Sequence, residues 1–211
     1  MLNDNLQLDQ LRNSELIVSS AYLAPVAYYA CMIASENVLI ECYDNYEKQS
    51  YRNRCCILTA NGVQDLTIPI EKTGKTIMKD VRISMHDDWQ VKHWRSIESA
   101  YNSSPYFEYY ADDFKRFYEN KWEFLFDFNQ EIQQMILELL ESEITIKHTI
   151  NYQTYAENSV DLRQRVHPKK KLDFNVKNYY QVFDLKYGFT PNLSIIDLLF
   201  NMGPESQLIL R

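Results

Sequence analysis

The chain has 211 residues, 45% hydrophobic and 24% charged, which is enough apolar material for one packed core and too much for a disordered polymer. Its net charge of −7 and pI near 5.2 exclude broad electrostatic binding to nucleic acid or to an anionic membrane, since both need a positive surface. With only Gly62, Gly74, Gly188 and Gly203 in the whole sequence, no dinucleotide fingerprint and no complete phosphate-binding loop can be drawn.

Residues 1–15 read as an N-terminal extension and residues 16–211 as a single α/β domain with a polar, mobile-looking stretch at 151–178. Residues 16–34 carry no charge, but Ser19, Ser20 and Pro25 interrupt them, and Asp4, Asp9 and Glu15 precede them against a lone Arg12. Neither a membrane span nor a signal peptide fits that pattern, and a cytoplasmic location is the expectation. A strand at 16–20, a helix opened by Pro25 and a strand at 37–42 form a strand, helix, strand unit. Its right-handed crossover predicts parallel strands. Further strands are expected at 54–59, 64–70 and 79–84, with Asn61-Gly62 as a hairpin turn.

From residue 87 the pattern turns helical. Asp87 or Asp88 can cap a helix that runs to Tyr101, Pro105 closes it, and a shorter helix follows at 112–118. Residues 124–140 are the clearest helix, with Leu125, Phe128, Ile132, Ile136 and Leu139 at helical spacing, and 144–150 alternate like a strand. The 151–178 stretch holds Arg163, Arg165, Lys169, Lys170 and Lys171, as either a solvated loop or an anion-binding patch. Residues 193–202 form an apolar helix with Ser194 and Asp197 resembling a capping box and Gly203-Pro204 as a stop. Such a helix is buried or meets a second copy or a pathway enzyme. The elements amount to an α/β domain with a mixed sheet of about five or six strands and helices on its faces, α+β being the alternative.

Cys31, Cys42, Cys55 and Cys56 lack metal-ligand spacing and the four histidines are scattered, so no metal is expected, and no cofactor either. Residues 72–76 resemble the tail of a phosphate-binding loop, but Pro69 stands where its first glycine belongs. Any phosphate must therefore be held by side chains or a helix start. The best candidate lies at 44–54, just after the second strand, where Lys48, Arg52, Asn53 and Arg54 gather. His93, one helical turn from Trp89, is either a proton-transfer group or a packed histidine. Asp127 and Asn129 at the start of the long helix are explained by capping.

Taken together, several segments resemble the WbqC-like family of bacterial proteins. They are residues 21–29, 46–54, 66–70, Trp89-x-x-x-His93-Trp94, 100–107, Leu125-x-Asp-x-Asn129 and 193–201, in the family's order. The likeness covers about 16–148 and 187–206, and departs from the family where Ser20, Ala21 and Ala24 replace a proline-rich entry and where the middle of the chain reads as shortened. The resemblance implies a cytoplasmic step in surface polysaccharide or O-antigen synthesis, and it points to Lys48, Asn53, Arg54, His93, Tyr101 and Asn129. The expected activity is modification of an activated sugar, such as acyl or aminoacyl transfer, on a nucleotide sugar or acyl donor. Lys48, Arg52 and Arg54 would hold the anionic part and His93 would move the proton. The competing expectation is a non-catalytic assembly protein acting through the 193–202 helix.

Overall fold

A computed structural model describes residues 11–12, 14–35, 37–71, 74–152, 159–170 and 177–211. Most of the expected N-terminal extension, and Lys171 of the basic stretch, lie outside the described residues.

The uncharged run becomes β1 (Glu15–Ser19) and α1 (Val26–Ala34). Leu16, Ile17 and Val18 are all buried, as in a strand covered on both faces. β2 (Asn37–Glu41) lies parallel to β1 with Ile17 beside Leu39, the pairing the crossover predicts. β3 (Arg54–Thr59) and β4 (Gly62–Thr67) are the expected hairpin, with Gly62 at a φ of 104° that an L side chain rarely adopts. β5 (Thr145–His148) joins β2, and β6 (Ser159–Asp161) joins β1, both in parallel. The domain is α/β, and the six strands among the described residues divide between a parallel sheet of order β5-β2-β1-β6 and the separate β3-β4 pair.

The strand expected at 79–84 is instead a 3-10 turn, Met78–Asp80, followed by single bridges from Arg82 to Phe124 and from Ile83 to Ile70. The apolar alternation there is real, since Met78, Val81 and Ile83 are buried. Its backbone donors, however, pair with loop carbonyls, Met78 N–H with Asp44 and Lys79 N–H with Cys42, so no ladder forms.

α2 (Trp89–Tyr101) matches the expected helix, and α4 (Leu125–Leu139) buries Leu125, Phe128, Ile132 and Ile136 on one stripe. α3 (Phe107–Glu119) is longer than the sequence suggests, because Pro105 stands just ahead of its first turn and does not confine it. α5 (Asp184–Tyr187), α6 (Ile195–Met202) and α7 (Ser206–Leu210) complete the described helices. Ile195, Ile196, Leu198, Leu199 and Phe200 of α6 are wholly buried against the chain's own helices, the first of the two alternatives expected for this helix.

Ser194 caps α6 as expected, its Oγ accepting from Ile196 N–H at 3.5 Å, but Asp197 does not complete a capping box. Its carboxylate turns inward and accepts from Tyr101 Oη at 3.0 Å, Tyr179 Oη at 2.7 Å and Gln181 Nε2 at 2.8 Å. Burial pushes its pKa up to about 6, against the pull of those donors.

The start of α1 is stitched to the start of α6. Val26 N–H donates to the Leu193 carbonyl at 3.0 Å, Ile195 N–H to Ala24 at 2.9 Å and Ser194 Oγ to Leu23 at 2.8 Å. In many open α/β sheets the helix after the first strand offers its free amides to phosphate. Here a carbonyl from the same chain takes one of them, in keeping with a glycine-free loop in which Leu23 itself adopts a φ of 41°.

Candidate functional site

From β1 the chain steps to β2 and then to β5 on one side, while β6 lies on the other side of β1. The progression thus reverses between β1 and β6, and in open parallel sheets the carboxyl ends at such a reversal form a crevice suited to ligands. A narrow crevice lies there, lined by Ser19, Ser20, Ser50, Arg52, Leu162 and Arg163 among others. Its volume of about 10 Å³ admits about one water molecule.

Arg52 is 3% exposed. Its Nη1 donates to Glu47 at 2.9 Å, and its Nη2 donates to Asp44 at 2.9 Å and to Ser19 Oγ at 3.1 Å, while its Nε is buried with no partner. Asn129, on the buried face of α4, donates to the Arg52 carbonyl at 2.8 Å and to Ser20 Oγ at 3.1 Å, which ties the loop after β2 to the loop after β1.

Glu41, the last residue of β2, is fully buried. Its Oε1 accepts from Tyr43 N–H at 2.7 Å and from Thr149 Oγ1 at 2.8 Å, and its Oε2 faces Arg163 Nη1 at 3.4 Å. Arg163 is held more closely by Asp161, its Nη2 at 2.6 Å and its Nε at 3.0 Å. Burial works to raise the Asp161 pKa, but the Arg163 hydrogen bonds outweigh it and hold the carboxyl below its usual range. His167 Nε2 stands 3.8 Å from Glu47, and Lys169 Nζ donates to Gln49 Oε1 at 2.6 Å. Two arginines set among four carboxylates and several hydroxyls form a site able to orient a polar ligand by hydrogen bonds.

The sequence-derived residues are spread more widely than expected. Arg52 lines the crevice, Asn129 braces it from behind and Lys48 is exposed on the same loop. Asn53 is buried and donates to the Ile68 carbonyl at 2.8 Å, clamping the end of the hairpin. Arg54 pairs across that hairpin with Asp65 at 2.9 Å, and Tyr101 is committed to Asp197. His93 is 5% exposed, stacks on Tyr22 and meets the edge of Trp89. The Tyr22 hydroxyl lies 3.0 Å from its Nδ1 and 2.8 Å from the Tyr118 hydroxyl. Burial pushes the His93 pKa down to about 4, so the ring is neutral near pH 7. His93 packs among Tyr22, Trp89 and Tyr118 on the aromatic side of the core, and its hydrogen bonds and ring contacts there include none of Lys48, Arg52 or Arg54.

Glu41 and Thr149 escaped the sequence reading, and Arg163 was visible only as one cation of the basic stretch. Their signal is a polar residue at or just past the carboxyl end of a strand, which becomes informative only once the strands are known to be parallel neighbours. The capping role expected for Asn129 is likewise corrected, since its side chain reaches across the core to Arg52.

Fold and crevice together define an open parallel α/β protein with a charged site at the reversal of its sheet. The WbqC-like protein family model matches residues 20–172, more than half of the chain, and the chain belongs to that family. The match includes much of the polar stretch that the resembling segments left out. The chain is also similar to the uncharacterized protein Rv1507c of Mycobacterium tuberculosis (strain ATCC 25618 / H37Rv), 27% identical over 225 residues that span 92% of this chain and 96% of that protein. No solved structure matches. No helix among the described residues is long and apolar enough to cross a membrane.

Proposed function

We propose that this protein is a cytoplasmic enzyme of surface polysaccharide synthesis, acting on an activated sugar by acyl or aminoacyl transfer, with its ligand at the mouth of the crevice between β1 and β6. The observation that carries the reading is Arg52, buried at the reversal of the sheet with its Nε unpartnered. The anionic part of a nucleotide sugar or acyl donor would meet Arg52 and the exposed Lys48, and the sugar hydroxyls would meet Ser19, Thr149 and the surrounding carboxylates. Asn129 acts as a positioning residue through the Arg52 carbonyl. The competing reading, an assembly protein docking through the 193–202 helix, loses its footing because that helix is buried.

Isothermal titration against nucleotide sugars and acyl donors tests the assignment. Arg52→Ala is expected to abolish binding, whereas Arg54→Ala, on the hairpin, is expected to leave it unchanged. Wild-type affinity in Arg52→Ala would move the ligand elsewhere.

A further inference from the structure

Arg52 sits between two residues that are gripped from outside the crevice. Tyr51, just before it, accepts at its carbonyl from Tyr22 N–H at 2.9 Å. Asn53, just after it, accepts at its carbonyl from Ile68 N–H at 2.8 Å and returns its Nδ2 to the Ile68 carbonyl at 2.8 Å. Both grips lead back to one side chain. The Tyr22 hydroxyl lies 3.0 Å from His93 Nδ1, and the ring's backbone partner is the Thr67 carbonyl. That carbonyl shares a planar peptide group with the Ile68 N–H, so whatever holds its oxygen also orients the donor to Asn53.

A carbonyl has no proton to give, so the imidazole nitrogen that serves it must carry one. With Tyr22 at Nδ1, that nitrogen is Nε2. The neutral ring holds a single N–H, so Nδ1 is a bare acceptor and the Tyr22 hydroxyl donates to it. Tyr22 has then used its only proton. The Tyr118 hydroxyl, 2.8 Å away, and the neighbouring Cys55 thiol can therefore only donate to the Tyr22 oxygen, whose two lone pairs accommodate both. Ring packing fixes the arrangement, with Tyr22 stacked on His93 at 5.7 Å and Trp89 and Tyr118 set at steep angles to the imidazole.

We propose that His93 is a positioning residue for Arg52: as the Nε2–H tautomer it accepts from Tyr22 and donates to Thr67, and these two arms brace the backbone on both sides of the arginine. What Arg52 does with a ligand rests on the function proposed above, whereas the tautomer and the bracing belong to the free protein.

The tautomer is read in the wild-type full-length chain labelled with nitrogen-15 histidine. Two-bond proton–nitrogen correlation spectra near neutral pH are expected to show the His93 ring, identified by its loss in His93→Gln, with Nε2 protonated and Nδ1 bare. A proton on Nδ1 would overturn the proposal. Amide hydrogen exchange then separates the arms, since an asparagine carries its oxygen where Nδ1 stands and a glutamine carries its amide nitrogen where Nε2 stands. His93→Asn is expected to speed exchange at Ile68 N–H on the order of tenfold and to spare Tyr22 N–H, and His93→Gln to do the reverse. Equal acceleration of both amides in both variants, or of neither, would reduce His93 to a space-filling ring and sink the positioning role. Should the tautomer and the exchange pattern hold while the wild type binds no nucleotide sugar or acyl donor, the bracing stands and the substrate assignment falls.

Discussion

Asn129 holds the backbone of Arg52. The amide donor on α4 reaches the arginine's carbonyl at 2.8 Å and, with its other hydrogen, Ser20 Oγ at 3.1 Å, so one side chain fixes the two loops that flank the crevice. Replacing Asn129 with alanine strands both acceptors in a buried setting and is expected to cost about 2–3 kcal/mol. Urea unfolding checks the size of the loss. A variant that unfolds with the wild type would show that neither loop depends on this amide.

Arg52 and Arg54 are two positions apart and should behave differently in stability as well as in binding. Removing Arg52 unpairs Asp44, Glu47 and Ser19 beneath a buried guanidinium and is expected to destabilise by about 2–4 kcal/mol. Removing Arg54 breaks a half-exposed pair with Asp65, for which roughly 1 kcal/mol or less is expected. Denaturant midpoints of the two alanine variants decide the matter, and a larger loss at Arg54 would contradict the burial argument.

Two buried groups pull the pH dependence of stability in opposite directions. Asp197 titrates near 6 in the folded protein against 3.8 ordinarily, so its contribution is present below the unfolded value and is lost as pH rises to about 6 and beyond. The full cost of ionising it is on the order of 3 kcal/mol. His93 titrates near 4 against 6.5, so its contribution is present above the unfolded value and is lost as pH falls toward 4. Between these limits the two slopes oppose. Relative to wild type, Asp197→Asn is expected to lose more stability on acidification from about pH 7 to about pH 5, and His93→Gln to lose less or to gain. Unfolding midpoints at both pH values test it, and parallel curves for all three proteins would refute it.

Gly203, at the end of α6, has a φ of 53°, and a Cβ built there would stand 2.5 Å from the Tyr106 ring. Gly203→Ala is expected to cost about 2–4 kcal/mol, because strain and overlap act together. Gly74→Ala meets open space and should stay within about 0.5 kcal/mol of wild type. Thermal melts of both variants check the contrast.

Elements made of strong local patterns were legible in the sequence. The 124–140 stripe, the Asn61-Gly62 hairpin and the uncharged β1-α1 run all appear where periodicity and turn chemistry put them. β6 was not legible, because Ser159, Val160 and Asp161 form a strand only by lying against β1. Arg52 was visible as a cation after the second strand, but Glu41, Thr149 and Arg163 come together from positions more than 100 residues apart, as from Glu41 to Thr149 and Arg163. Asp197 misled for the same reason. Its local spacing suggests a cap, while the donors that claim it come from outside the helix, Tyr101 from 96 residues away and Tyr179 from 18.

The stitch between α1 and α6 limits what this scaffold could become. Grafting glycines into residues 20–24 would restore the flexibility of a nucleotide-binding turn, yet the Leu193 carbonyl would still face the helix start with its own partial negative charge. An incoming phosphate would have to evict that carbonyl, and with it the strand-like bridge between Pro25 and Ser194 that seats the last long apolar helix. Dinucleotide binding in this protein is therefore barred by occupancy as well as by composition, and redesign toward it would have to begin at residue 193.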